Sequence, residues 1–213
     1  MVIQRVQTSP EALLTLLRAL YVVFGLPSFL LLTVASFLMA GGRSGQDRTE
    51  ILMFGALMSL GVIIPIGFFV LTTLKRRRLL TDIVQALNGP DRFLPDAAHE
   101  VYSEGVGKYF GIDPNIGTIL YVHRIRKGQV DVVGLNMADW TSRELEGKTL
   151  RLYTKFPTLP CIEISTPWAQ RWYDTLGAME YKRYNTPKPF SQYVSEHVEA
   201  LERENNIHIP KLA

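Results

Sequence analysis

A single cysteine, Cys161, and four scattered histidines are all that this chain of 213 residues offers to thiolate or imidazole chemistry. One cysteine closes no internal disulfide, which excludes a cross-linked framework matured in an oxidising compartment. His99, His123, His197 and His208 form no metal-ligand spacing with one another or with Cys161. No phosphate-cradling glycine-lysine loop, nucleophile elbow, paired-histidine zinc motif or calcium loop occurs, so no cofactor or metal is expected. A Cys161 nucleophile with a His123 base would lack its third member, and Cys161 falls in an apolar strand pattern where an inert thiol is expected. Charge is missing too. No Asp, Glu, Lys, Arg or His occurs from Ala19 to Gly42 or from Ile51 to Leu74, and such intramembrane charged groups are the usual mark of ion or proton pathways, so transport is disfavoured.

Those two uncharged runs are the strongest positive signal. A hydrocarbon core of about 30 Å takes roughly 20 helical residues, and each run is long enough. The ten residues from Gly41 to Glu50 make a tight turn, so the spans are expected as an antiparallel hairpin over residues 1–78. Ser9-Pro10-Glu11 is a helix start, with a cap, a proline and an acidic first turn. A cleaved signal peptide is the competing reading, but the apolar run is too long and a second span follows at once. Pro27 and Pro65 fall near mid-span as expected kinks, and Gly55 with Ser59 is a small-residue pair suited to helix contact.

Charge is divided unevenly. Residues 1–78 carry 8 basic and 3 acidic side chains against 15 and 17 in the remainder, so the basic excess sits beside apolar segments and is not a nucleic-acid footprint. Lys75-Arg76-Arg77-Arg78 abuts the second span, which by the positive-inside rule places the C-terminal part in the cytoplasm. These four residues are also candidates for contact with the membrane surface. The juxtamembrane segment 79–105 opens with an amphipathic stretch whose Leu79, Leu80, Ile83, Val84 and Leu87 share one face. It either lies on anionic lipid or continues the second span as a topology anchor.

From Gly107 the pattern turns to short β-branched and aromatic runs. Strands are predicted over Lys108–Asp113, Thr118–Ile125, Val130–Leu135, Leu150–Thr154 and Cys161–Ile164. Thr166-Pro167 then starts a helix with Trp168, Trp172, Leu176 and Met179 on its inner face. Antiparallel hairpins closed by an aromatic helix predict a small α+β domain over 106–184, in the order of a pleckstrin-homology-like barrel. After Asn185-Thr186-Pro187, a polar helix from Phe190 to Asn205, within a final segment 185–213, carries Tyr193, Val194, Val198 and Leu201 as a stripe that would dock a partner. In the polar connection from Asn136 to Glu144, Trp140 with Arg143 and Glu144 is a candidate partner-binding group; the alternative is a tryptophan folded onto the barrel.

The soluble part resembles the surface or entry exclusion proteins of the ExcA type found on IncI-group conjugative plasmids. The resemblance runs through Tyr109-Phe110-Gly111-Ile112-Asp113, Gly117-Thr118-Ile119-Leu120-Tyr121, Val130-Asp131-Val132-Val133-Gly134-Leu135 and Leu150-Arg151-Leu152-Tyr153-Thr154. It continues in Pro160-Cys161-Ile162-Glu163-Ile164, Pro167-Trp168-Ala169-Gln170 and Lys188-Pro189-Phe190-Ser191-Gln192-Tyr193-Val194. It implies a multi-pass inner-membrane protein, not an enzyme, that limits entry of a related plasmid by recognising an inner-membrane protein of the donor's transfer apparatus. The outer turn Gly41 to Glu50 competes with the cytoplasmic domain as the contact site. Two other classes stay open: a membrane-tethered lipid-binding or scaffolding module, and a membrane-anchored hydrolase.

Overall fold

The computed structural model describes residues 9–184 and 188–210, and the chain divides into two compact units, one within residues 3–72 and one over residues 73–213. In the first, α1 (Ser9–Leu20) runs through a π-helical turn (Tyr21–Gly25) into α2 (Leu26–Gly41). The wide turn has a cause. Pro27 brings no N–H to the helical ladder, and just before it Leu26 donates to Tyr21 O, one residue further back than in an α-helix. The chain reverses over residues 42–45, where Gly45 adopts φ 74°, and α3 (Gln46–Leu87) begins at once. The turn is thus shorter than the expected Gly41 to Glu50, because Gln46 to Glu50 already form helix.

Leu16–Gly41 and Gln46–Leu87 are long and apolar enough to cross a membrane. Their contact uses small residues, as expected where lipid competes equally for apolar side chains. A Cβ on Gly55 would sit 3.0 Å from Ser36 Cβ, and one on Gly61 would sit 2.9 Å from the Phe29 ring. Tyr21 also donates to Gly61 O. Gly61, rather than the anticipated Ser59, is the second close-approach point; Ser59 bonds within its own helix to Ala56 O.

The second unit holds β1 (Glu100–Ser103), β2 (Lys108–Asp113), β3 (Thr118–Arg126) and β4 (Gln129–Asn136) in one antiparallel sheet of order β1-β2-β3-β4. A separate sheet of order β5-β6-β7 follows, from β5 (Trp140–Glu146), β6 (Thr149–Thr154) and β7 (Cys161–Ser165). Then come α4 (Ala169–Glu180) and α5 (Phe190–Asn205). The two sheets do not close into the expected barrel. Turn chemistry sets the first sheet's register. Asp113 accepts from Asn115 N, Ile116 N and Leu94 N at 2.9, 3.2 and 2.8 Å and so fixes the β2–β3 turn, which ends at Gly117 with φ 81°.

Strand alternation gives the four-stranded sheet two buried faces. Phe110, Ile112, Ile119, Tyr121, Val133 and Leu135 face a core completed by Leu150, Leu152, Ile162 and Ile164 and by Trp172, Leu176 and Met179 of α4. Tyr109, Leu120, Val122, Val130 and Val132 face the other core, covered by Leu80, Ile83, Val84 and Leu87 at the end of α3 and by Phe190, Val194, Val198 and Leu201 of α5. Each fully buried side chain of this size contributes about 1.5–3 kcal/mol. Gly134 admits α5, since a Cβ there would stand 2.6 Å from Val194 Cγ2. Beyond Asn206, at φ 50°, the tail pairs with the start of β4: Val130 N donates to His208 O at 3.0 Å and His208 N to Gly128 O at 2.7 Å.

Three expectations are corrected. The α5 stripe and the 79–87 face pack on their own sheet, so neither is an open surface for a partner or for lipid. Trp168 precedes α4 and is 57% exposed, whereas Trp172 is fully buried, lies tilted against the Phe110 ring at 5.6 Å between centroids and donates to Ala98 O. The predicted break at Asn185-Thr186-Pro187 lies outside the described residues.

Candidate recognition surface

Trp140, Arg143 and Glu144 stand in β5, a strand rather than a polar connection. Its register with β6 shifts between Trp140 and Ser142, and such a bulge inserts one residue and inverts the alternation. Trp140 and Arg143 therefore share the inner face, with Thr154 and Leu152 as their β6 partners. Trp140 is 5% exposed and belongs to the core, which corrects its assignment as an exposed anchor. Arg143 reaches α4, where it pairs with Glu180 and lies 4.6 Å over the Tyr173 ring. Gly177 leaves the space it needs, since a Cβ there would be 2.5 Å from Arg143 Nη2.

Glu144 alone of the three points outward. It accepts from Tyr153 Oη at 2.8 Å and lies 3.9 Å from Arg151 Nη1. Arg151 also pairs with Glu146 at 2.6 Å and Glu163 at 2.7 Å. Three carboxylates around one guanidinium make the outer face of this sheet acidic. The expected trio is thus split between the two faces of the sheet.

The basic cluster is partly engaged within its own unit. Arg76 donates to Gly105 O at 2.6 Å and Arg77 pairs with Glu104 at 3.2 Å. Burial, then the nearby Arg76 charge, holds Arg124 below the usual guanidinium value. Lys75 and Arg78 are exposed.

The residues weighed for hydrolysis stand apart: Cys161 is on β7, and His123 is on β3 of the other sheet. Burial and then Glu163 push the Cys161 thiol up, opposite to the shift an activated nucleophile needs. Among the described residues no group of three or more His, Cys, Asp or Glu could hold a metal ion. Two clefts remain. One of about 400 Å³ lies beside Arg92, Tyr193 and His197. Another of about 290 Å³ runs between β1–β2 and β6–β7, from Val101 and Lys108 to Glu163 and Ser165. Sequence reading missed the second cleft, because it follows from two sheets failing to meet rather than from any motif.

With no catalytic grouping assembled by these elements, similarity to known proteins decides the matter. A family model described as Exclusion-determining protein matches residues 1–213. The chain belongs to that family. Comparison with curated proteins and with solved structures returns no match. For this member of the exclusion-determining family, the match takes in both the helical unit and the sheet unit.

Proposed function

We propose that this chain is an inner-membrane exclusion protein that limits entry of a related conjugative plasmid by recognising an inner-membrane protein of the donor's transfer apparatus, with no enzymatic step. The family match over residues 1–213 carries the reading. Two spans with both ends in the cytoplasm are favoured by Lys75 to Arg78 at the end of the second apolar run, which the positive-inside rule retains on the cytoplasmic side. The lipid-binding alternative is weakened because the apolar faces it would use are packed inside the domain.

Mating frequency tests the function. Recipients expressing the chain should receive a related plasmid less often than recipients without it, and an unrelated plasmid equally often. Equal transfer of the related plasmid would sink the reading. Topology is read separately: in a Cys161-replaced background, an impermeant thiol reagent should label a cysteine at Ser44 and spare one at Ala200, and the reverse pattern would invert the hairpin.

A further inference from the structure

The two sheets expose their edges unequally. The start of β4 is covered by the tail through His208. β5 is blunted by its bulge and by Arg143, Glu144 and Glu146, devices that keep edge strands from pairing with other chains. β7, Cys-Ile-Glu-Ile-Ser, has no bulge in its register, no proline and one charge. Thr154 N donates to Pro160 O and Thr166 N to Lys148 O at either end of the β6–β7 ladder. By antiparallel alternation Ile162 and Ile164 then bond to β6, and Cys161, Glu163 and Ser165 aim their N–H and C=O groups away from it. Beside that edge lies the 290 Å³ cleft, with Val106 exposed in its lining.

We infer that the free edge of β7 is the recognition element, taking up an extended segment of the partner protein as a fourth strand. The segment places an apolar side chain in the cleft and a basic one beside Glu163. The charge follows from the sheet's acidic outer face, where Glu144, Glu146 and Glu163 surround Arg151. A second copy of this chain is the poorer occupant, since antiparallel self-pairing over the full strand sets Glu163 against Glu163. Backbone pairing supplies affinity, and alternate side chains supply partner choice.

This inference rests on the exclusion function proposed above, and the experiment separates the two. Glu163→Pro removes an outward N–H and leaves the bonds to β6 in place, as proline on an edge strand does; Glu163→Ala keeps the N–H. Recipients carrying full-length wild type or either variant are mated with donors of a related and an unrelated plasmid. Wild type should exclude, Glu163→Ala, which loses the charge and keeps the N–H, should exclude less well, and Glu163→Pro should lose at least about ten-fold more of the exclusion than Glu163→Ala at equal membrane level and unfolding temperature. Exclusion by Glu163→Pro at the Glu163→Ala level overturns the edge and leaves the function standing, whereas a wild type that does not exclude removes the function itself. A photoreactive benzoylphenylalanine at position 163 gives an answer that does not depend on the proline variant folding. A cross-link to a donor-encoded protein only in related matings is expected; no cross-link, or a cross-linked dimer in unmated recipients, overturns the inference.

Discussion

The two units spend similar side chains in opposite ways. In the helical unit Phe24, Phe68 and Phe69 are more than 60% exposed, while in the sheet unit Phe93, Phe110 and Phe190 are buried almost completely. The helices meet through Gly55 and Gly61 and leave their large apolar groups outside; the sheet unit packs its large groups into two cores, one on each face of the four-stranded sheet. Apolar content therefore does not locate a core. Two helices long and apolar enough to cross a membrane need no buried core of their own, since hydrocarbon gives no reward for hiding a phenylalanine.

The sharpest break in this comparison comes from the tryptophans. Trp172→Ala should cost about 3–5 kcal/mol of unfolding free energy in denaturant titrations of the full chain in detergent, and the exposed Trp168→Ala less than about 0.5. Trp140→Ala should fall with Trp172, because β5 buries it; a near-neutral Trp140→Ala would return it to the surface. Overpacking comes next. Gly134→Val forces a Cβ against Val194 and Phe190 and should cost about 1–3 kcal/mol, read by the same titration.

In the helical unit the corresponding change is Gly61→Leu, which meets the Phe29 ring, against Gly67→Leu, which meets nothing within 4 Å. With Cys161 replaced, disulfide formation between cysteines at Ser36 and Gly55 should slow for the first and stay unchanged for the second. Unfolding of the sheet unit should respond to neither. The smallest expected effect is a pH dependence. Burial, then the Arg171 charge, lowers the His99 pKa from 6.5. The unfolded chain then takes up that proton more readily, so the stability contribution is present above pH 6.5 and declines as pH falls through the folded value. His99→Gln should flatten this part of the stability profile, and an unchanged profile would show that His99 does not titrate between the two states.

How much was legible follows the strength of each local pattern. β2, β3, β4, β6, β7 and α5 fall within about a residue of their expected bounds because their apolar residues recur at the strand or helix period. β5 was hidden because its outer residues are polar and its bulge breaks the alternation, so Trp-Thr-Ser-Arg-Glu-Leu-Glu reads as a loop. Trp168 was misplaced because Pro167 delays the helix until Ala169. The stripes at 79–87 and 190–201 were visible as stripes, but membrane, partner and sheet all ask for the same periodicity. Which one covers them is a tertiary fact. The proposed edge was beyond reach for the same reason: Cys161–Ser165 reads as a strand, and only the arrangement of the sheets shows which of its sides is left without a strand partner.

The tail pairing with β4 also sets an order of assembly. The core beneath α4 has all its residues in the chain by Met179, but the core on the opposite face needs Ile209. At roughly 5–20 residues per second, the ribosome adds the ~30 residues from Met179 to Ile209 in about 2–6 s. During that interval Leu120, Val122 and Val132 have the end of α3 together with Phe93 and Tyr109, all already made, to shelter them. The amphipathic segment next to the second apolar helix thus serves the newborn chain as a temporary cover, half of a lid that α5 and Ile209 complete once they have been made.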